Sequence, residues 1–228
     1  TGSIGESSLR LLRKNKERFN LIGVSAHNNA KLLSKIVNEF DVPNVVLSNP
    51  KNAKSYNGKN ELYVGQSSLI ELAKINCDIV ISGIIGMSGL HPAFAAINVG
   101  NNLAIANKET IVSGGNLIMD KSKISGSKII PIDSEHNALF QLMKNYELHE
   151  IDKITLTASG GPFRGDTYKE LSKRKYSEAL NHPTWNMGDK ITVDSATLIN
   201  KVFEVKEAAN LFDIPLEDIE VIFHDESI

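Results

Sequence analysis

The sequence predicts an α/β protein: a Rossmann-like doubly wound parallel sheet followed by an α/β catalytic domain. First, short β-branched strands alternate with amphipathic stretches of helical length, which favours right-handed crossovers and parallel strands. Second, the polar motifs directly follow predicted strands, and open α/β sheets bind ligands at that edge. Third, 228 residues correspond to about 1.5 average domains. We therefore expect a dinucleotide-binding domain at 1–132 and a catalytic domain for metal and substrate at 133–228.

Each element is predicted from the periodicity of its apolar residues. Residues 30–40 illustrate a helix, because Leu33, Ile36, Val37 and Phe40 recur on one stripe. Strands are predicted at 19–25, 45–47, 78–82, 103–106, 128–132, 153–157 and 219–223. Helices are predicted at 9–14, 30–40, 67–75, 92–99, 109–121, 135–144 and 195–211, and the polar segment 48–60 is interpreted as a loop.

Composition excludes several classes of protein. A formal charge of −2 argues against binding to a nucleic-acid backbone. No apolar run approaches the roughly 20 residues that span a bilayer, so no membrane partner is expected. The single cysteine, Cys77, cannot form an internal disulfide, which suits a reducing compartment.

The start of the chain carries the first candidate site. Gly2 and Gly5 precede a helical run, and glycines there allow a pyrophosphate to approach the helix N-terminus. About 20 residues later, where a site for NAD places a carboxylate, the chain has only small, polar or potentially cationic side chains. These residues are Ala26, His27 and Asn28, and they favour the 2′-phosphate of NADP. A plain turn before a helix is the alternative.

Two further motifs follow predicted strands. Asn107, Lys108 and Glu109 open a helix, either as a ligand site or as a polar helix cap. Asp133 and Glu135 lie two apart on a turn, where both carboxylates can face one Mg²⁺ or Mn²⁺. The alternative is an N-cap aspartate with a favourable acidic residue in the first helical turn.

The last motif lies on the helix predicted at 195–211. Asn200, Lys201 and Glu204 share one helix face, which is also typical of a surface ion pair. Between this helix and the preceding motifs lie a glycine turn, Ser159-Gly160-Gly161, and a loop containing the only tryptophan, Trp185. A tryptophan in a loop is either a packed anchor or part of a lid.

Together these motifs resemble the 1-deoxy-D-xylulose 5-phosphate reductoisomerase family over essentially the whole chain. The matching stretches are 1–5, 106–109, 131–137, 159–163, 182–188 and 193–204. The resemblance implies a homodimeric enzyme of isoprenoid biosynthesis that depends on NADPH and on Mn²⁺ or Mg²⁺, with Co²⁺ as an alternative. Its reaction rearranges and reduces the sugar phosphate 1-deoxy-D-xylulose 5-phosphate to 2-C-methyl-D-erythritol 4-phosphate.

The resemblance also implies a role for each matching residue. The metal ligands would be Asp133, Glu135 and Glu204, and Lys108 completes the catalytic set. Cofactor contacts would come from Thr1, Gly2, Ser3, Ile4, Ala26, His27, Asn28, Asn107, Glu109 and Gly188. Substrate contacts would come from Lys108, Ser134, Glu135, Ser159, His182, Trp185, Met187, Ser195, Asn200, Lys201 and Glu204, with Trp185 and Met187 in a mobile flap.

The chain departs from the family in two motifs and at both ends. It has Ala26-His27-Asn28 where many members have Gly-Lys-Asn, and His224-Asp225-Glu226-Ser227 where many have His-Pro-Gln-Ser. The family's first strand and its C-terminal helical domain are missing, so we expect a fragment. A different NADP-dependent oxidoreductase would not need the three carboxylates, and a non-catalytic binding module would have no reason to group them with Lys108.

Overall fold

The computed structural model describes residues 1–182 and 188–224 and confirms the predicted α/β class. The chain divides into two compact units, Thr1–Ile132 and Asp133–Ile228. All pairings between the strands are parallel. None of the helices in the described ranges has the length and apolar character needed to cross a membrane.

The first unit alternates strands with helices. Its strands are β1 (Gly23–Ala26), β2 (Asn44–Leu47), β3 (Leu62–Val64), β4 (Ile79–Ser82), β5 (Asn102–Ile105) and β6 (Ile129–Pro131). Its helices are α1 (Ser3–Lys14), α2 (Ala30–Phe40), α3 (Gln66–Ala73), α4 (Leu90–Asn98) and α5 (Lys108–Ser125), with 3₁₀ turns at Pro50–Ser55 and Gly86–Gly89. The strands form two three-stranded sheets, in the orders β1-β2-β3 and β4-β5-β6.

Helix α2 shows why the elements form where the sequence predicts them. Its bounds match the prediction, because the Asn29 side chain caps it by accepting a hydrogen bond from the Leu32 N–H at 3.0 Å. Its apolar stripe, including Leu33 and Val37, packs on β1 and β2 in one buried cluster with Val45. Burial of this stripe places the end of β1 next to the N-terminus of α2.

The second unit contains helices and one two-stranded sheet. Its elements are α6 (Ser134–Leu142), β7 (Ile154–Ala158), α7 (Tyr168–Leu171), α8 (Tyr176–Ala179), α9 (Asp189–Ala196), α10 (Ile199–Phe212) and β8 (Ile219–Phe223), with 3₁₀ turns at Met143–Asn145, Leu148–Glu150 and Leu216–Asp218. Ile154 and Leu156 of β7 and Ile219 of β8 form a buried cluster with Ala208 of α10. This packing places α10 against the sheet.

Several sequence predictions differ from the structure. The helix predicted at 9–14 begins at Ser3, so Gly5 lies inside it and does not precede it. The strand predicted at 19–25 begins at Gly23, whose ladder partner is Asn44; the preceding Pro43 has no N–H with which to extend the ladder. The loop predicted at 48–60 contains the turn Pro50–Ser55, and the strand Leu62–Val64 after it was not predicted. A three-residue strand is too short to show an alternating pattern.

The helix predicted at 195–211 is in fact two helices. Leu198 has a positive φ of 60° and separates α9 from α10. The Thr197 hydroxyl donates to the carbonyls of Val193 and Asp194. These carbonyls lie in the last turn of α9, where they lack partners within the helix, and the hydroxyl supplies one. The break contains neither glycine nor proline, so the sequence pattern does not reveal it.

Candidate active site

The first unit opens with a helix N-terminus suited to an anion. Gly2 precedes α1 in an extended conformation, and its residue type provides no side-chain cap for the amides of the first turn. A Cβ added at Gly2 would meet nothing within 4 Å, so the backbone here is open to a close approach. The predicted contacts Thr1, Gly2, Ser3 and Ile4 therefore lie where the amides and the helix dipole favour a phosphate.

A polar surface follows β1. His27 Nδ1 lies 2.8 Å from Ser48 Oγ, and the Asn28 side-chain oxygen accepts a hydrogen bond from the Asn49 amide at 2.7 Å. A cavity of about 360 Å³ beside them is lined by Asn28, Asn29, Ala30, Lys31, Asn52 and Ser55. This lining contains a lysine and no carboxylate, in agreement with the argument for a 2′-phosphate. Lys31 was missed by the sequence analysis, although it stands four residues after His27.

The motif after β5 opens α5. The Asn107 side chain accepts a hydrogen bond from the Thr110 N–H at 2.9 Å, and its amide donates to the carbonyls of Gly86 and Ile84. The polar-cap alternative thus describes the Asn107 side chain, and a cofactor contact by Asn107 stays a prediction. Lys108 is the first residue of the helix and only 7% exposed. Such burial of an ammonium group is typical of a site and not of a solvated surface.

The second unit brings together the three predicted metal ligands. Asp133, Glu135 and Glu204 each place a carboxylate oxygen so that these atoms lie within 4.8 Å of one another. Asp133 occupies the N-cap position of α6, yet its side chain makes no cap hydrogen bond, so the N-cap alternative does not explain it. Glu204 is only 1% exposed, which rules out the surface-pair alternative.

Two polar residues of α10, Asn200 and Lys201, contact the carboxylates of Glu135 and Glu204. Lys201 Nζ lies 3.0 Å from Glu135 Oε1, donates to the Thr157 carbonyl at 2.6 Å and also pairs with Glu204. Asn200 Nδ2 donates to Glu204 Oε1 at 2.5 Å. Burial raises the pKa of Glu135, but the Lys201 charge and a hydrogen bond from Ser134 outweigh it and lower that pKa below its ordinary value. Glu135 is therefore ionised at neutral pH, as a ligand for a cation must be.

The predicted substrate contacts lie at the end of β7 and on the helices beside it. Ser159 Oγ lies 3.2 Å from His182 Nε2, and burial lowers the pKa of His182, which favours a neutral ring. A Cβ added at Gly161 would lie 2.5 Å from the Ser195 carbonyl oxygen, so the glycine turn packs directly on α9. Gly188 is the N-cap of α9. Trp185 and Met187 lie outside the described residues, so their roles stay predictions.

Two buried residues beside the carboxylates were missed. His136 and Glu207 are both 0% exposed, and His136 Nδ1 lies 3.5 Å from Glu207 Oε2. Burial lowers the pKa of His136, but the carboxylates of Asp133 and Glu207 outweigh it and raise that pKa above its ordinary value. Glu207 is three residues after Glu204, on the same helix face, and this spacing is the signal that could have revealed it.

Two family models match the chain. The model described as 1-deoxy-D-xylulose 5-phosphate reductoisomerase matches residues 1–115. The model described as the 1-deoxy-D-xylulose 5-phosphate reductoisomerase C-terminal domain matches residues 129–212.

Curated relatives carry the same name. A 1-deoxy-D-xylulose 5-phosphate reductoisomerase of Clostridium perfringens is 46% identical over 236 residues, which cover 100% of this chain and 62% of the relative. The protein of that name from Thermodesulfovibrio yellowstonii is 44% identical, and the match covers 100% of this chain and 61% of that protein. The chain thus spans about three-fifths of the length of the curated relatives it matches.

Solved structures show the same relationship. A crystal structure of DOX-P reductoisomerase in complex with NADPH, fosmidomycin and magnesium superimposes with a TM-score of 0.90 at 34% identity, covering 100% of this chain and 60% of the other. The reductoisomerase from Zymomonas mobilis in complex with NADPH gives a TM-score of 0.90 at 36% identity, with the same coverage. With one family model matching half of its residues, the chain belongs to the 1-deoxy-D-xylulose 5-phosphate reductoisomerase family.

Proposed function

We propose that this chain is the cofactor-binding and metal-binding part of an enzyme that rearranges and reduces 1-deoxy-D-xylulose 5-phosphate to 2-C-methyl-D-erythritol 4-phosphate. The cofactors are NADPH and one Mn²⁺ or Mg²⁺, with Co²⁺ as an alternative. The observation that carries the proposal is the convergence of Asp133, Glu135 and Glu204 within 4.8 Å. A nucleotide-binding protein without metal chemistry has no need of such a cluster.

The carboxylates fit a hard divalent cation. Oxygen donors are the ligands that Mg²⁺ and Mn²⁺ prefer. Lys201 offsets part of the charge of the three carboxylates, and a divalent cation would offset the rest of their mutual repulsion. Hydrogen bonds from Ser134 to Glu135 and from Asn200 to Glu204 orient two of them. A cation bound here would supply Lewis-acid polarisation of a substrate carbonyl and a template for two substrate oxygens.

Residues at the end of β7 would bind the phosphate of the substrate. Ser159 and His182 are in contact, and the glycine turn packs on Ser195. Asn200 and Lys201 start α10 beside the Thr157 carbonyl of β7. The binding energy of a phosphate held by these residues can be used to orient the reacting end of the substrate.

The first unit would supply the reductant site and one cationic residue. NADPH would bind with its pyrophosphate at residues 1–4 and its 2′-phosphate near His27, Asn28 and the ammonium of Lys31. We assign Glu109 and Gly188 contacts to the cofactor because they match the family pattern. We assign Lys108 the stabilisation of negative charge that develops on a substrate oxygen. We assign Trp185 and Met187 to a flap that covers the substrate.

The test is an assay of NADPH oxidation with 1-deoxy-D-xylulose 5-phosphate in the full-length protein. We expect activity that disappears with EDTA and returns with Mn²⁺ or Mg²⁺. Turnover that resists complete metal removal would instead favour a different NADP-dependent oxidoreductase. The absence of turnover with metal, NADPH and substrate all present would favour a binding module.

We also propose a homodimer and a reducing compartment. The relatives reported above are bacterial proteins, which favours the bacterial cytoplasm, although a plastid stroma would suit the single cysteine equally well. Sedimentation of the full-length protein tests the dimer, since a single species with the mass of one chain would contradict it.

A further inference from the structure

A buried pair of side chains lies directly beside the carboxylate cluster. The His136 ring is fully buried, and so is the Glu207 carboxylate that faces it at 3.5 Å. Burying a carboxylate in a protein interior is costly unless it is paired, and an apolar side chain of similar size would be the more stabilising choice at this position. The presence of Glu207 therefore indicates a function other than stability.

The His136 ring contacts both elements that carry the clustered carboxylates. Its Nε2 donates a hydrogen bond of 2.9 Å to the backbone carbonyl of Glu204 on α10. Its Nδ1 lies 3.4 Å from Asp133 Oδ2, at the start of α6. One ring thus fixes the backbone at Glu204 relative to the side chain of Asp133.

We propose that His136 and Glu207 are positioning residues that orient Asp133 and Glu204 for the divalent cation. In this arrangement the ring packs between the carboxylates of Glu207 and Asp133, at 3.5 and 3.4 Å, and donates a hydrogen bond to the backbone of Glu204. Residues that orient metal ligands in this way typically change metal affinity by about 10- to 100-fold when they are altered. This inference rests on the metal site of the proposed function.

The same region offers one competing arrangement. Asp133, His136 and Glu207 also place one ligand atom each within 4.8 Å of one another, so His136 could itself be a ligand. The Nε2 bond to the Glu204 carbonyl leaves Nδ1 as the ring nitrogen that could bind a cation. A ligating histidine would make the same outer bond, so the pulsed electron paramagnetic resonance spectrum of bound Mn²⁺ is what distinguishes the two roles.

The experiment uses Mn²⁺ alone and the full-length protein. Glu207→Gln keeps the volume of the side chain and removes its charge. His136→Gln keeps a donor near the Nε2 position, whereas His136→Asn keeps one near the Nδ1 position. Lys206→Gln is the matched control, since Lys206 is the exposed neighbour of Glu207 on α10. For each protein we would measure the Kd of Mn²⁺, its electron paramagnetic resonance spectrum, the Kd of NADPH and the thermal midpoint.

For Glu207→Gln and both His136 variants we expect a rise of about 10- to 100-fold in the Kd of Mn²⁺. We also expect an altered zero-field splitting of bound Mn²⁺, an unchanged Kd of NADPH, and recovery of kcat at saturating Mn²⁺. Lys206→Gln should resemble the parent. If a His136 variant fails to fold, Glu207→Gln decides the question, because its shape is conserved.

Two results would overturn this inference alone. One is a Kd of Mn²⁺ within twofold of the parent in Glu207→Gln. The other is a ¹⁴N coupling from an imidazole in the pulsed spectrum of the parent, which would make His136 a ligand. Failure of the parent to bind Mn²⁺ would instead overturn the metal site of the proposed function, and this inference with it.

Discussion

At the scale of single residues, the site differs most from what the sequence pattern suggests. Lys201 and Glu204 have the spacing of a surface ion pair, yet both are buried, and Lys201 also contacts Glu135, 66 residues away. Buried charges occur in proteins mainly where they are paired or bind ions. The burial of these residues, and not their spacing, indicates a function.

The first prediction concerns Glu204. Glu204→Gln removes one negative charge from the proposed metal site while keeping the size and shape of the side chain. We expect metal affinity to fall by at least about tenfold and kcat to fall by about 100-fold, a loss of roughly 2.7 kcal/mol of transition-state stabilisation. Titration with Mn²⁺ and steady-state assays of the full-length protein measure both.

The control is Glu217→Gln, because Glu217 is an exposed carboxylate of the same unit. If metal affinity and kcat of Glu204→Gln both stay within twofold of the parent, Glu204 has a structural role and does not bind the metal.

At the scale of elements, the glycine turn after β7 depends on its contact with α9. Gly161 has a φ of +70° and no room for a Cβ beside Ser195, whereas Gly165 has a φ of +87° and open space. Gly161→Ala therefore adds a backbone clash to the conformational strain, and Gly165→Ala adds the strain alone. The difference between the two variants isolates the contact.

The second prediction follows from this pair. Gly165→Ala should lower the free energy of unfolding by about 1–2 kcal/mol. Gly161→Ala should lower it by about 1–3 kcal/mol more and should also raise the KM for the sugar phosphate, because the turn carries Ser159. Chemical denaturation and steady-state kinetics are the measurements. Equal destabilisation by both variants would show that the turn can move away from α9 without cost.

The junction between α9 and α10 gives the third prediction. Leu198 adopts a left-handed conformation that is costly for a branched side chain, and it is 41% exposed. Leu198→Gly should raise the free energy of unfolding by about 0.5 kcal/mol, because relief of strain exceeds the entropy cost of glycine. Val202→Gly is the matched control at 49% exposure inside α10. It should destabilise by about 0.3–0.5 kcal/mol, because valine is already a weaker helix former than alanine. If both variants destabilise equally, Leu198 is not strained.

At the scale of the whole molecule, the two units carry different parts of the proposed chemistry. The helix start proposed to bind the pyrophosphate and the surface after β1 lie in the first unit, and the clustered carboxylates lie in the second. The fourth prediction is that EDTA abolishes turnover while the Kd of NADPH stays within about twofold. Fluorescence titration of the full-length protein with NADPH tests this, and loss of NADPH binding in EDTA would contradict it.

The same titration tests cofactor choice. NADPH should bind more tightly than NADH, because no carboxylate follows β1 and Lys31 lines the adjacent cavity. His27→Glu should reduce this preference by weakening the binding of NADPH, since a carboxylate repels the 2′-phosphate. Lys35→Gln, on α2 one turn after Lys31, controls for the change of net charge, because it also lowers that charge by one. A parent protein with equal affinities would show that the surface after β1 does not select the phosphate.

The sequence by itself determined the fold class, the parallel arrangement of the strands and the family. The period of the apolar residues is local and strong in elements such as α2, whose observed bounds equal the predicted ones. The motifs are also contiguous, so their residue types could be recognised without coordinates. Of the site, the sequence provided Asp133, Glu135 and Glu204 as candidates and explained why such residues would hold a cation.

Tertiary structure decided between the alternative interpretations of Asp133 as an N-cap and of Glu204 as a surface ion-pair residue. No local pattern distinguishes a buried Glu204 from an exposed one, or shows that Leu198 interrupts a helix without glycine or proline. His136 and Glu207 gained significance only when the packing of α6 and α10 brought them into contact. Burial and contacts between distant residues depend on how the elements pack, whereas periodicity and residue type are carried by each segment on its own.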